Sequence, residues 1–264
     1  MHGTSFVDRR WRLLLTAPLD GVENMALDEA LMARARATGE GVVRVYSWSA
    51  PTLSLGRNQR ALGVYTAERS AARGVLVVRR ATGGRALLHH REITYSVTAP
   101  APAHESLARS YHAINGLLLT ALHALGVAAQ VAERAERLPP PASAPCFELP
   151  ASGELMVDGR KLVGSAQYRE QGAMLQHGSV LVEDDQALVA ELSAVPVGTT
   201  MPAATLFESL GRAPSPRDLA DELFAAVRDA WDPTASVLDA SACEGDVLQL
   251  ARARFSDHAW TWRR

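Results

Sequence analysis

An Asp-Gly pair at 158–159, set between the apolar run 155–157 and the run 160–163, constrains this chain more than any other feature. Asp-Gly is a favoured pair for a two-residue type I′ turn, because both positions take a positive φ and the turn's twist matches that of the strands it joins. The segment predicts a β-hairpin with Val157 opposite Arg160 and Met156 opposite Lys161. Side-chain alternation then sends Lys161, Val163 and Ser165 to one face. Part of any sheet built here must be antiparallel.

The other segments fit round that hairpin. Asp20 followed by Glu23 resembles a capping box, and the alanine-rich stretch 24–37 stops before Gly39, which predicts a helix marked at both ends. β-Branched residues mark strands at 42–48 and 75–79, while Ile93, Tyr95 and Val97 alternate with Thr94, Ser96 and Thr98 as in a half-buried strand. Apolar residues recur at Leu107, Tyr111, Ile114, Leu118, Leu122 and Leu125, a helical stripe closed by Gly126. The prolines of 138–145 exclude a regular element there. Residues 173–182 read as a strand, Ser215-Pro216 with Asp218 opens a helix running to Trp231, and the tail carries no clear pattern. No fixed-period repeat occurs. Strands interleaved with helices predict one α+β domain over 1–264, a mixed, largely antiparallel sheet with flanking helices, in preference to a doubly wound sheet.

Composition narrows the function classes. A chain of 264 residues, 47% hydrophobic and 21% charged, is neither collagen, coiled coil nor wholly disordered. A net charge of −2 is too balanced for coating nucleic acid or an anionic membrane. No apolar run approaches the roughly 20 residues of a spanning helix, and the first residues lack a secretory core, so a cytoplasmic protein is expected. Two cysteines, Cys146 and Cys243, argue against a disulfide framework or a cysteine zinc module. Walker and GxGxxG phosphate loops are absent.

Lys161 is the single lysine among 27 basic residues. A bias toward arginine would replace lysine wherever a guanidinium serves equally well, and the survivor would stand where a compact ammonium of tunable pKa is needed. The alternative is a snorkelling lysine on a hairpin. Small residues follow it through Gly164 to Ala166, and with Gln176-His177-Gly178-Ser179 they supply two strands able to wall a narrow acyl tunnel. Upstream, Arg79-Arg80-Ala81-Thr82-Gly83-Gly84-Arg85 leads toward His89 and His90. This loop reads either as a tight turn with solvated charges or as a cradle in which glycine backbone amides approach an acyl carbonyl or phosphate. His89, His90 and Glu92 lack the HExxH spacing of a zinc site, and no metal is expected. Cys146 would ordinarily be a packed thiol, but a neighbouring ammonium raises the thiolate fraction, so Cys146 and Lys161 make a sensible nucleophilic pair. Cys243 reads as structural.

Residues 24–30, Arg79-Arg80 with Gly83-Gly84-Arg85 and His89, 92–97, 159–167, His177-Gly178-Ser179 and 260–264 together resemble the lipoyl/biotinyl protein ligase and octanoyltransferase superfamily over most of the chain. Cys146-Phe147, fifteen residues before Lys161, resembles the acyl-accepting cysteine of its LipM-type octanoyltransferase branch, as does a length without an accessory C-terminal domain. Ala151-Ser152-Gly153 departs from the aromatic residue that relatives often carry there.

The resemblance implies a two-step transfer. Cys146 takes octanoyl from octanoyl-acyl carrier protein, and a lysine of a lipoyl domain then takes it from Cys146. That lipoyl domain would belong to a 2-oxoacid dehydrogenase complex or to the glycine-cleavage H protein. Lys161 favours the thiolate and donates to the developing oxyanion. Arg80, Gly83, Gly84 and His89 would line the acyl and pantetheine approach, with Gly164, His177 and Gly178 on the facing strands. No cofactor, nucleic acid or membrane is implied. Three alternatives remain open: an ATP-dependent lipoate ligase, an octanoyl amidotransferase between lipoyl domains, and a non-catalytic binding protein for an acyl carrier or lipoyl domain.

Overall fold

The computed structural model describes residues 6, 9–101, 106–132, 153–196 and 202–264. Along the chain the elements run β1 (Trp11–Leu15), α1 (Gly21–Thr38), β2 (Gly41–Tyr46), β3 (Thr52–Leu55), α2 (Ala67–Ala71), β4 (Leu76–Arg79), β5 (Leu87–His89), β6 (Glu92–Pro100) and α3 (Leu107–Ala124). They continue as β7 (Gln130–Val131), β8 (Leu155–Val157), β9 (Arg160–Glu170), β10 (Ala173–Leu181), α4 (Ala187–Leu192), α5 (Leu206–Leu210), α6 (Pro216–Ala230), β11 (Ser236–Val237), α7 (Asp246–Ser256) and α8 (His258–Thr261).

Asp158 and Gly159 have φ of +48° and +71°, the two left-handed positions of a type I′ turn. Val157 pairs with Arg160 and Met156 with Lys161, and a bulge follows at Leu155–Met156 that carries Leu155 to Val163. The hairpin belongs to an eight-stranded sheet in the order β11-β1-β2-β6-β10-β9-β8-β7. β1 runs parallel to β11 and β2, and the remaining pairs are antiparallel. A smaller sheet, β4-β3-β5, stands beside it. The mixed, largely antiparallel α+β architecture is the one expected from sequence.

Helix ends follow their caps. The Asp20 carboxylate accepts from Glu23 N at 2.9 Å, and Gly39 closes α1 at φ +75°. Ser215 and Asp218 form a reciprocal capping box with Pro216 in the first turn of α6. One face of the large sheet, through Ile93, Tyr95 and Val97 of β6, packs on Ile114 and Leu118 of α3 and Leu219 and Leu223 of α6. On the other face α1 lies between the sheet and α7, with Met25 and Leu31 packed among Val42, Tyr46, Leu248 and Phe255.

Three expectations need correction. β6 is buried on both faces rather than half-buried: its Thr94, Ser96 and Thr98 side lies under α1, where Thr94 Oγ1 accepts from Trp48 Nε1 and Ser96 Oγ donates to Asp28 instead of to water. The strand expected over 42–48 ends at Tyr46, and Trp48 makes only an isolated bridge to Leu19. The patternless tail forms β11, which pairs with β1, and α7 and α8, which pack on α1 and β4. Cys243 is buried beside α1, and burial pushes its thiol up, in keeping with a structural role. No helix among the described residues is long and apolar enough to cross a membrane.

Candidate functional site

β9 and β10 pair with Gly178 opposite Ser165 and Ser179 opposite Gly164, so the small residues of both strands lie side by side. A Cβ on Gly178 would come within 2.6 Å of the Tyr95 ring and 2.7 Å of Ser165 Oγ. Glycine is therefore required for the two strands and β6 to close up here. Above them opens a small cavity, partly open to solvent. Its floor is Gly164, Ser165 and Ala166 with His177, Gly178 and Ser179; Met25 of α1, Tyr46, Trp48 and Thr94 form one wall, and Arg80, Gly84, Leu87 and His89 the other.

Charge is buried directly behind this cavity. Asp28 of α1 accepts from Arg44 Nη1 at 2.9 Å, Ser96 Oγ at 2.8 Å, Tyr46 Oη at 3.2 Å and His177 Nδ1 at 3.2 Å. Arg44 also donates to Asn24 Oδ1 at 2.7 Å and Thr16 Oγ1 at 3.2 Å and lies over the Tyr46 ring at 3.8 Å. Burial would raise the Asp28 carboxyl, but the His177 hydrogen bond, the Arg44 charge and Ser96 outweigh it and leave the group below its ordinary range. Burial holds His177 below the ordinary histidine value against the pull of Asp28, and the charges of Arg80 and His89 act in the same direction as burial. A neutral His177 donating from Nδ1 presents Nε2 as an acceptor, which the Thr82 hydroxyl meets at 2.7 Å. His89 is fixed likewise: Nδ1 meets Glu92 Oε1 at 2.8 Å, Nε2 meets Ser54 Oγ at 2.8 Å, and Trp48 stacks on the ring at 3.9 Å.

Arg79 and Arg80 serve the loop more than they serve solvent. Arg79 donates to the carbonyls of Thr261, Gly56 and Gln59 at 2.7, 2.6 and 2.9 Å. Arg80 donates to those of Ser54, Gly83 and Arg85 at 2.8, 2.8 and 2.7 Å. Burial, with the charges of Arg263, Arg264 and Arg80, pushes Arg79 down to about 10. Gly84 has φ +92°, and its carbonyl packs so closely on Gly56 that a Cβ there would stand 2.0 Å away. The Gly83-Gly84 turn is therefore held from within by the Arg80 guanidinium, while Arg79 holds the facing 56–59 loop.

Lys161 is buried, not snorkelling, and its Nζ donates to Glu154 Oε1 at 2.7 Å. It is the second residue of β9, three before Gly164 and about 10 Å along the strand from the cavity floor. Burial holds the Tyr95 and Tyr111 hydroxyls up against their own hydrogen bonds, and the Glu154 charge adds to it, so this carboxylate stands within electrostatic reach of both. Tyr95 Oη meets Ser165 Oγ at 2.7 Å at the cavity floor. The lysine pair and the cavity are thus linked through Tyr95.

Of the residues singled out from sequence, Arg80, Gly84, His89, Gly164, His177 and Gly178 meet at this one cavity. Gly83 stands beside it as an acceptor for Arg80, and Lys161 lies off its walls. Cys146, Phe147 and the proline-rich segment 138–145 lie outside the described residues. Among the described residues no cluster of three His, Cys, Asp or Glu groups is placed to hold a metal ion. Four residues escaped the sequence reading: Asp28, Trp48, Thr82 and Glu154. The signal for the first was present, since Asn24 and Asp28 share a helical face in an otherwise alanine-rich stretch and Arg44 interrupts a run of valines.

Residues 20–228 match the family described as lipoyl protein ligase A/B catalytic domain. Curated relatives include proteins named octanoyltransferase LipM. That of Kyrpidia tusciae is 46% identical over 69% of this chain and 70% of its own length. That of Symbiobacterium thermophilum is 35% identical over 98% of this chain and 100% of its own. Among solved structures, lipoate-protein ligase A bound with ATP superposes with a TM-score of 0.76 at 20% identity, covering 96% of this chain and 98% of that one. A putative lipoate protein ligase from T. acidophilum with bound lipoic acid gives 0.73 at 18% identity, covering 96% and 99%. At such identity the structures speak for the fold.

Proposed function

Because the chain belongs to the lipoyl protein ligase A/B catalytic-domain family, we infer that it is an octanoyltransferase of lipoate biosynthesis, with 1–264 acting as one catalytic domain in the cytoplasm. The observation that carries this reading is the 35% identity to an octanoyltransferase across 98% of the chain. The acceptor is a lysine of a lipoyl domain, in a 2-oxoacid dehydrogenase complex or the glycine-cleavage H protein, and the donor is octanoyl-acyl carrier protein.

The chemistry proceeds as two acyl transfers. The Cys146 thiolate attacks the donor thioester, a new carbon–sulfur bond forms, and the carrier's thiolate leaves and is protonated. The acceptor lysine then attacks the octanoyl thioester on Cys146, loses a proton as the amide forms, and returns the thiolate. Exchange of one thioester for another is nearly thermoneutral and amide formation is downhill, so no nucleotide need supply energy. Lys161, oriented by Glu154, supplies the ammonium that favours the Cys146 thiolate and stabilises the oxyanion. Arg80, Gly83, Gly84, His89, Gly164, His177 and Gly178 shape the octanoyl and pantetheine approach. The cavity supports this assignment by offering a narrow, glycine-floored slot with His89 and His177 held in place by hydrogen bonds from behind.

Intact mass spectrometry of the protein mixed with octanoyl-acyl carrier protein, without ATP, tests the reading. A hydroxylamine-labile octanoyl adduct on the wild type and none on Cys146→Ala is the expected result. An unmodified protein that lipoylates its acceptor only with free acid, ATP and Mg²⁺ would assign it to the ligases.

A further inference from the structure

The indole of Trp260 has Arg263 over its ring at 3.9 Å, Arg254 at 4.4 Å and Arg57 at 6.0 Å. Cation–π contacts hold one guanidinium to an indole well, but three around one ring repel one another. Two carboxylates stand against these three cations. Glu170 stands 4.0 Å from Arg57, too far for a hydrogen bond, and Glu29, 2.6 Å from Arg254, is itself pushed up by burial. Burial and then the charges of Arg57, Arg264 and Arg254 hold Arg263 below its ordinary value. Arg57 Nη1 is buried and finds no hydrogen-bond partner among the described residues. A fixed set of donors with surplus positive charge and an unsatisfied N–H is a site short of an anion.

Its place in the fold indicates which anion. Arg263 donates to the carbonyl of Arg57 at 2.5 Å, and Arg57 N donates to the carbonyl of Thr82 at 2.8 Å. The cluster is therefore fastened to the Thr82–Gly84 loop that rims the cavity. A ligand whose acyl end lies in the cavity and whose arm passes over Gly84 runs toward Gly56 and Arg57, which lie against that loop and carry the cluster.

We propose that Arg57, Arg254 and Arg263, arrayed round Trp260, bind the phosphate of the donor's phosphopantetheine arm while its acyl group occupies the glycine-floored cavity. The assignment of the phosphate to a donor arm rests on the transferase reading; the anion site itself does not. A guanidinium fork matches phosphate oxygens bidentately, which accounts for arginine at each position.

The test compares octanoyl-pantetheine 4′-phosphate with octanoyl-pantetheine as donors, alongside calorimetric binding of the two unacylated pantetheines. Wild type is expected to favour the phosphorylated donor on the order of tenfold in kcat/KM, chiefly through KM, with the preference shrinking as ionic strength rises. Arg263→Gln and Arg57→Gln should each bring the ratio toward one, with thermal unfolding as the folding control. Should Arg57→Gln fail to fold, the more exposed Arg263 carries the test. A ratio of one in wild type, or full preference in both variants, overturns the site. ATP binding these arginines more tightly than pantetheine 4′-phosphate overturns its assignment to the donor. Phosphate-dependent binding without transfer from either donor would overturn the transferase reading and leave the anion site standing.

Discussion

Two regions of this protein bury a cation against a carboxylate, and they do it with different residues. Behind the cavity, Arg44 and Asp28 are 0% and 1% exposed and tied to α1, β2, β6 and β10 at once. At the start of β9, Lys161 and Glu154 are 4% and 7% exposed. Arginine keeps its charge at every accessible pH and presents a planar fork of donors, whereas lysine is a point charge whose proton can move. The first pair therefore suits a scaffold held on several sides at once, and the second presents a compact ammonium held by one carboxylate.

The largest effect should come from breaking the scaffold. Asp28→Ala leaves Arg44 charged, buried and unpaired and frees Tyr46, Ser96 and His177, so unfolding in urea should show a loss of about 3–5 kcal/mol. Removing Arg44 as well, in Asp28→Ala/Arg44→Leu, should return part of that loss, because the orphaned charge is gone. If the double variant is less stable by the sum of the single losses, the pair is not coupled and the scaffold reading fails.

Exchanging the two cations sharpens the comparison. Lys161→Arg keeps the charge beside Glu154, and should lower the rate of octanoyl transfer roughly a hundredfold through loss of oxyanion stabilisation, while overpacking costs about 1–3 kcal/mol of stability. Arg44→Lys keeps the charge beside Asp28 but cannot also reach Asn24 Oδ1 and Thr16 Oγ1. It should cost about 1–3 kcal/mol in unfolding with a smaller change in turnover of folded protein. Equal catalytic losses in the two exchanges would erase the distinction between scaffold and reagent.

What could be read from sequence follows the range of the interaction. The hairpin register, the Asp20 and Ser215 caps and the Gly39 stop rest on residues within a few positions of each other, and each stands where local chemistry puts it. The six residues that meet at the cavity came from motifs whose members sit on adjacent strands and the loop beside them. Asp28 and Thr82 both meet His177, at sequence separations of 149 and 95; the polar helix face marks Asp28 as unusual, but no local pattern names its partner. The same holds for the polar side of β6, whose alternation is legible but whose roof, α1, is not. α7 starts at Gly245 without a side-chain cap, and its burial of Leu248, Ala251 and Phe255 depends on α1 being in place.

The smallest effect probes the joint between scaffold and cavity. His177 titrates below the ordinary value of 6.5 in the folded protein because it is buried, despite Asp28. In the window from 6.5 down to that lowered value the unfolded chain binds a proton that the folded chain refuses, so stability is full above 6.5 and falls as pH falls. The slope from one such group is at most about 1.4 kcal/mol per pH unit. Asp28, lowered from 3.8, adds stability that is present above that value and lost only at more acid pH, so the two contributions separate. Thermal unfolding between pH 7.5 and 5 should show the slope in wild type and lose it in His177→Gln. A slope that survives the substitution would place the titrating group elsewhere and would leave His177 as a hydrogen-bonded spacer between Asp28 and Thr82.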